Sequence, residues 1–299
     1  MPARLLPRFI LMTNSSGSSA TAIDHATLPV VRIGPARSWA SLNLAELVEY
    51  RELLYFLVWR DIKVRYKQTA LGVLWALLQP LFMMLVFTLF FGRLGKLPSD
   101  GLPYSVFTLC ALLPWQLFSH ALTESSNSLV ANERLISKVY FPRLLVPLAA
   151  VVGGLADFCV AFLLLLAVMA FYGVTPGVAV MALPLLVVFA IATAFAVGLW
   201  LSALNVQYRD VRYTLSFATQ LWMFATPVAY SASLVPEGWR TLYGLNPMVG
   251  VVEGFRWALL NRSTAPGPEI LVSIAAVAAL LVSGLYYFRR VERTFADVI

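Results

Sequence analysis

From Leu71 to Phe91 the chain carries no acidic or basic side chain. About 20 consecutive apolar residues cross the hydrocarbon of a bilayer. Five further stretches read the same way: 104–127, 144–172, 178–204, 213–231 and 270–288. Lipid offers no partner for an open sheet edge, so all six read as helices. Composition agrees. The 299 residues are 60% hydrophobic and 12% charged, with mean hydropathy +0.78. Soluble domains run about 45–50% apolar and about 25% charged.

Six spans would place both ends of the chain on one side, and positive charge chooses the side. Of the 22 Lys and Arg, only Arg93, Lys96, Arg240, Arg256 and Arg262 fall on the other side. Both termini are therefore expected in the cytoplasm. The net charge of +7 reads as a basic face toward an anionic leaflet, not as a nucleic-acid surface. Cys110 and Cys159 lie in separate apolar runs and read as small apolar fillers.

The chain divides into a flexible extension (1–38), an interface helix (39–70) and a six-span domain (71–299). The extension is rich in Ser, Thr, Gly and Ala, a composition that cannot bury a core. In 44–69, Tyr55, Trp59, Ile62 and Tyr66 share one helical face, and Arg60, Lys63 and Lys67 another. That pattern suits a cytoplasmic amphipathic helix lying in the membrane interface. A plain basic anchor before the first span is the alternative. The outer loop 233–267 is half apolar. It reads as two short helices, one after Pro236 and one restarting after Asn246-Pro247. A hairpin re-entering the outer leaflet between spans five and six fits, and so does a loop lying on the surface.

Enzyme motifs are missing. The nearest string to a phosphate loop is 92–96, and Leu97 follows where a hydroxyl is needed. No nucleotide is therefore expected on this chain. His25 and His120 stand apart, so no metal site is expected either. Asp157 interrupts the third span. An intramembrane carboxylate serves either as a proton or cation site or as a group bonded to a neighbouring helix or an inner Arg. Glu253 and Arg256 are three residues apart and able to pair. Trp75, Trp115, Phe118, Trp222, Phe224 and Tyr230 either form interfacial belts or line a path for sugar rings.

Two inner loops carry more than a connector needs. Asn132, Glu133 and Lys138 read as cap, first turn and last turn of a short helix, which Pro142 stops near Tyr140. Leu135, Ile136, Val139 and Tyr140 fit one apolar stripe of it. The second loop, 205–212, is short, charged and aromatic. Two ordinary basic connectors are the bland alternative.

Four segments then stand out together: YRELLYFLVWRDIKVRYKQTALGVLWALLQPL (50–81), NERLISKVYFPRLLVPLA (132–149), ALNVQYRDVRY (203–213) and GLNPMVGVVEGFRWALL (244–260). Together, and in this order, they resemble the permease subunits of ABC-2 type polysaccharide exporters. The likeness covers about residues 40–290. It implies a homodimer in the bacterial inner membrane, with two copies of a separate ATPase that bind ATP and magnesium. The cargo it implies is a glycan linked to undecaprenyl pyrophosphate. Glu133, Arg134, Leu135, Ser137, Lys138 and Tyr140 would then form a coupling helix in the ATPase, with Tyr208, Arg209 and Asp210 as a second contact. Arg60, Lys63, Arg65, Tyr66 and Lys67 would frame the inner entrance. Trp239, Tyr243, Asn246, Pro247, Glu253 and Arg256 would belong to the outer gate. The expectation is an all-α transport subunit. A membrane-embedded transferase on polyprenyl-linked glycans and a proton-coupled carrier are the rivals.

Overall fold

The computed structural model describes residues 44–67, 72–260, 267, 269–292 and 295. The expected extension 1–38 lies outside the described residues. Those described are helical or irregular, with no strand among them.

Five stretches are long and apolar enough to cross a membrane: Leu74–Leu94, Tyr104–Ala131, Leu145–Phe171, Val178–Gln207 and Glu269–Val291. They correspond to expected spans one to four and six, each within a few residues. The first is α3 (Leu74–Phe87), which continues through a π-helical turn to Leu94. The second is α4 (Tyr104–Ala131). The third is α6 (Leu145–Gly153) and α7 (Leu155–Phe171), broken at Gly154. The fourth is α8 (Leu183–Gln207), entered through a 3-10 turn at Val178–Ala182. α12 (Glu269–Glu292) is the last.

The run 213–231 differs from its expected form. It folds as α9 (Val211–Phe224), 14 residues long. At about 1.5 Å per residue that reaches ~21 Å, short of the ~30 Å of hydrocarbon. Residues 225–231 continue as turns. Pro227 removes a backbone donor there, and side chains from elsewhere take up the carbonyls, as described below.

α4 is the hub. It packs against α8, α6, α11 (Pro247–Leu260), α3 and α7, and most of its residues are buried. Small residues set the closest approach. Gly198 of α8 lies so near Ser125 that a Cβ built there would stand 2.5 Å from its Oγ. Backbones approach most closely where side chains are small, and van der Waals packing holds helices together in lipid.

Before the first span come α1 (Leu44–Glu49) and α2 (Arg51–Lys67). α2 packs along α6 with Leu57 buried. Tyr55 and Trp59 are exposed on the expected aromatic side, but Phe56 and Val64 are exposed among the basic positions. The helix thus presents three sides, not a clean division into two.

The expected inner helix 133–140 forms as α5 (Glu133–Lys138), two residues shorter. Val139 is already extended, at φ −129° and ψ 134°. Asn132 does not cap it. Its φ of −108° and ψ of 23° lie away from the extended backbone a side-chain cap requires. In the outer loop, α10 (Glu237–Tyr243) follows Pro236 and α11 starts at Pro247, both where the sequence puts them. Proline suits a first helical position because its missing N–H has no intrahelical role there.

Candidate functional site

α2, α3, α4, α7 and α9 line a partly open cavity of about 450 Å³, walled by both polar and apolar side chains. Arg65 and Tyr66, in the last turn of α2, lie on its wall. Gln79 comes from α3, Gln116, Ser119, His120 and Thr123 from α4, Asp157 from α7 and Thr219 from α9. The four α4 residues recur at three- and four-residue spacing, so they form one stripe.

The cavity's charge is organised around Asp157. Arg65 Nη1 donates to its Oδ2 and the Tyr66 hydroxyl to its Oδ1. His120 Nε2 stands 3.6 Å from Oδ2, within ion-pair reach. That distance exceeds a hydrogen bond, and Nε2 is buried without a hydrogen-bond partner. Burial, then the bond to the negative Asp157, pushes the Tyr66 hydroxyl up to about 12. The reading of Asp157 as a carboxylate bonded to an inner Arg therefore matches the geometry. His120, Gln79 and Gln116 were missed as a group. The polar stripe on α4 was the available signal.

The other entrance residues lie farther along α2. Arg60 pairs with Asp61 at 2.8 Å and donates to Asn132 Oδ1 at 2.9 Å. Lys63 and Lys67 are exposed.

The two inner loops lie at one end of the bundle. Asn205 donates to the Ser126 carbonyl at 2.9 Å and to Asn127 Oδ1 at 3.2 Å, which ties the end of α8 to the end of α4. Glu133, Arg134, Ser137, Lys138 and Tyr140 are exposed, as are Tyr208, Arg209 and Asp210. Leu135 is half-buried. Ile136 is buried in a cluster with Leu57, Phe141, Leu144 and Phe288. α5 is therefore held on its apolar side while its charged side stays open. Arg143 donates to the Glu292 carbonyl, fixing the loop's far end to α12.

At the other end, the outer-gate residues are knit to residues 225–231. Asn246 Oδ1 accepts from Trp222 Nε1 at 2.9 Å and from the Met248 N–H at 3.1 Å. Its amide donates to the Ala225 carbonyl and to Thr226 Oγ1, both at 3.1 Å. One side chain thus caps α11 and holds the chain leaving α9. Arg256 pairs with Glu253 at 2.8 Å, as the spacing suggested. It also donates to the carbonyls of Val228 and Tyr230 at 3.1 and 3.2 Å. Pro247 is buried at the start of α11. The Tyr230 and Tyr243 hydroxyls are 2.9 Å apart. With Trp239 they line an open groove of about 690 Å³.

The six path aromatics divide by accessibility. Trp115 and Phe118 are buried, with ring centroids 5.5 Å apart and the rings tilted at 49°, and Phe118 meets Trp222 edge-on at 5.0 Å. Trp75 and Phe224 are exposed. Trp75 lines the cavity and Tyr230 the outer groove.

Residues 52–260 match the ABC-2 type transporter family model. The chain belongs to that family. As an ABC-2 transporter it is a multi-pass membrane protein, consistent with its five long apolar helices. It is 34% identical to an O-antigen export system permease protein of Myxococcus xanthus, over 85% of this chain and 98% of the relative. A protein of the same name from Klebsiella pneumoniae is 28% identical, over 83% and 95%. The polysialic acid transport protein KpsM of Escherichia coli is 24% identical, over 78% and 91%. This ABC-2 chain is thus similar to transport subunits along nearly their whole length.

Proposed function

We propose that this chain is the transmembrane subunit of an ATP-driven exporter. Its cargo is a lipid-linked polysaccharide, an O-antigen, carried outward across the bacterial inner membrane. The observation that supports this best is the similarity to O-antigen permeases over almost the full length of both chains.

In this reading α9 and residues 225–231 together make the fifth of six crossings. An even number returns both termini to the cytoplasm, beside most of the Lys and Arg. α11 is almost wholly buried, against α4, α8 and α12. That favours a re-entrant hairpin over a loop on the membrane surface, because backbone at depth needs protein around it. α2 lies at the inner interface and frames the entrance, where Arg65 and Tyr66 meet the lipid's diphosphate headgroup. Trp75, Trp222, Phe224 and Tyr230 face the path, with Trp115 and Phe118 packed behind them. Trp239, Tyr243, Asn246, Pro247, Glu253 and Arg256 form the outer gate.

Two copies of the chain pair, and each carries one ATPase that holds ATP and magnesium. The open side of α5 seats in that ATPase, with Tyr208, Arg209 and Asp210 beside it. ATP closure moves α5, and the permeases change their contacts with the glycan. Only contacts that differ between the two states couple the steps. No bond of the glycan is broken.

The test is charge reversal at Arg134, Lys138 and Arg209 together. The expected result is loss of ATPase co-purification and of surface polysaccharide, with the membrane level of the chain unchanged. Normal export by the triple variant would sink the coupling assignment. The proton-carrier alternative is weakened by Asp157 itself, because a carboxylate held by Arg65 and Tyr66 is poorly placed to release and take up protons. Its separate test is Asp157→Asn under an imposed pH gradient without ATP.

A further inference from the structure

α12 reaches from the inner loops to the outer helices and is gripped at both ends. At the inner end, Arg143 donates to the Glu292 carbonyl, and its guanidinium lies 5.9 Å from the centroid of the Phe295 ring. The last carbonyls of a helix have no intrahelical partner and attract a cation. Phe295 is wholly buried and meets Phe288 edge-on at 5.3 Å. The same apolar cluster takes in Ile136 of α5, and Phe141 and Leu144 of the loop after it. A helix of six residues is too short to be stable alone, so this cluster sets the orientation of α5.

At the outer end, Ser273 is wholly buried and donates to the Gly244 carbonyl at 2.8 Å, where α10 ends. A Cβ on Gly250, in the first turn of α11, would stand 2.9 Å from Ser273 Oγ. The end of α10 and the start of α11 thus rest on one side chain of α12. Between its ends α12 is a single α-helix of 24 residues without a proline, about 36 Å long.

We propose that α12 is the strut that carries the movement of α5 to the outer gate. The proposal rests on the coupling reading of α5 and adds the element that connects it to α10 and α11. α4 also runs the length of the bundle, but it is buried against its neighbours over most of its surface and is the body against which other helices move. In α12 only Ser273, Val277, Gly284, Phe288 and Val291 are buried. A helix gripped at its ends and lightly held between them shifts as a unit, and switching transitions use helix shifts of about 1–2 Å.

The experiment measures polysaccharide export and ATP hydrolysis together in membrane vesicles that carry the full chain and its ATPase. Arg143→Gln and Phe295→Ala loosen the inner end, and Ser273→Ala and Gly250→Ala disturb the outer end. Each should keep the ATPase bound and hydrolysing, and lower export per ATP about fivefold or more, the low end for coupling between sites. Arg143→Lys keeps a donor for the Glu292 carbonyl and should recover part of the loss. Arg143→Gln with Ser273→Ala should cost no more than the worse single change, because a strut freed at one end already fails to transmit. Residues that only stabilise the fold would lower the amount of chain and leave export per ATP at the parent's value, and that result overturns the strut. A double variant whose losses multiply overturns it too. If Arg143→Gln sheds the ATPase, this end of α12 belongs to the docking surface and the strut is wrong. Charge reversal at Arg134, Lys138 and Arg209 in the same vesicles reads the coupling assignment separately. Bound ATPase and normal export there sink that assignment, whatever the strut variants do.

Discussion

Arg256 Cζ lies 3.6 Å from the centroid of the Phe107 ring, and the residue is 1% exposed. One guanidinium therefore joins α11 to α4 through a ring, to Glu253 through charge, and to residues 228–230 through two carbonyls. Cation–π contact is worth about 2 kcal/mol or more when water is excluded. The arrangement explains how an irregular backbone segment is tolerated beside the bundle.

Arg256→Met keeps most of the volume and removes every one of these bonds. Breaking a buried pair by deleting one member costs about 3–5 kcal/mol. The expected outcome is a large drop in melting temperature in detergent. Arg256→Lys should fall between, because a single ammonium cannot fork to two carbonyls. Glu253→Gln should cost least, since Arg256 keeps both carbonyls and the ring. Equal melting temperatures for all four proteins would overturn the clamp.

Gly198 and Ser125 test the closest helix approach. An alanine at 198 would place its Cβ 2.5 Å from Ser125 Oγ and 2.9 Å from Ser125 Cβ. Overpacking of this kind costs about 1–3 kcal/mol. Gly198→Ala should lower thermal stability by that amount, and adding Ser125→Gly should recover part of it. A pair of variants whose effects simply add would show that the two residues do not meet.

The bond from Arg60 to Asn132 joins α2 to the inner loop across 72 positions. Arg60 is about one third exposed and shared with Asp61, so the pair contributes no more than about 1 kcal/mol. Its consequence lies in transmission, because Arg65 is on the same helix, a little over one turn away. Asn132→Ala should leave the melting temperature nearly unchanged and lower polysaccharide export per ATP hydrolysed. Unchanged export per ATP would show that α2 does not follow the loop.

Tyr66 gives a pH prediction. Its hydroxyl moves from 10.0 to about 12 through burial and the bond to Asp157, with Arg65 opposing. His120 and Asp157 face the same group. A raised folded value means the folded state holds this proton more tightly than the unfolded chain does. The stabilisation is complete below about pH 10 and is lost as pH rises toward about 12. Melting curves from pH 9 to 11.5 should fall more steeply for the parent chain than for Tyr66→Phe. Parallel curves would contradict the buried hydroxyl bond.

Span length is a local property, and five spans could be read from runs of apolar residues alone. The starts of α10 and α11 were legible for a similar reason, since Pro236 and Pro247 act through their own backbone. The fifth run was not legible. Pro80 and Pro114 lie inside continuous helices, whereas the run holding Pro227 stops being helical at Phe224. A proline by itself does not decide between these outcomes. Asn246 and Arg256 decide it, by bonding the carbonyls of Ala225, Val228 and Tyr230. The same holds for Asn132, whose sequence position suggests a cap. Its amide donates to the Ser128 carbonyl and its oxygen accepts from Arg60.

By itself, then, the sequence determined which segments could enter lipid, where α10 and α11 begin, and which connecting loops carry charge. Only the tertiary structure decided that Arg65 and Tyr66 close on Asp157, 92 and 91 positions away, and that α9 ends early. The physical reason is range. Hydrophobic length and proline geometry act within a few residues, but a buried charge or a freed carbonyl is satisfied by whichever side chain the packing brings within hydrogen-bond reach.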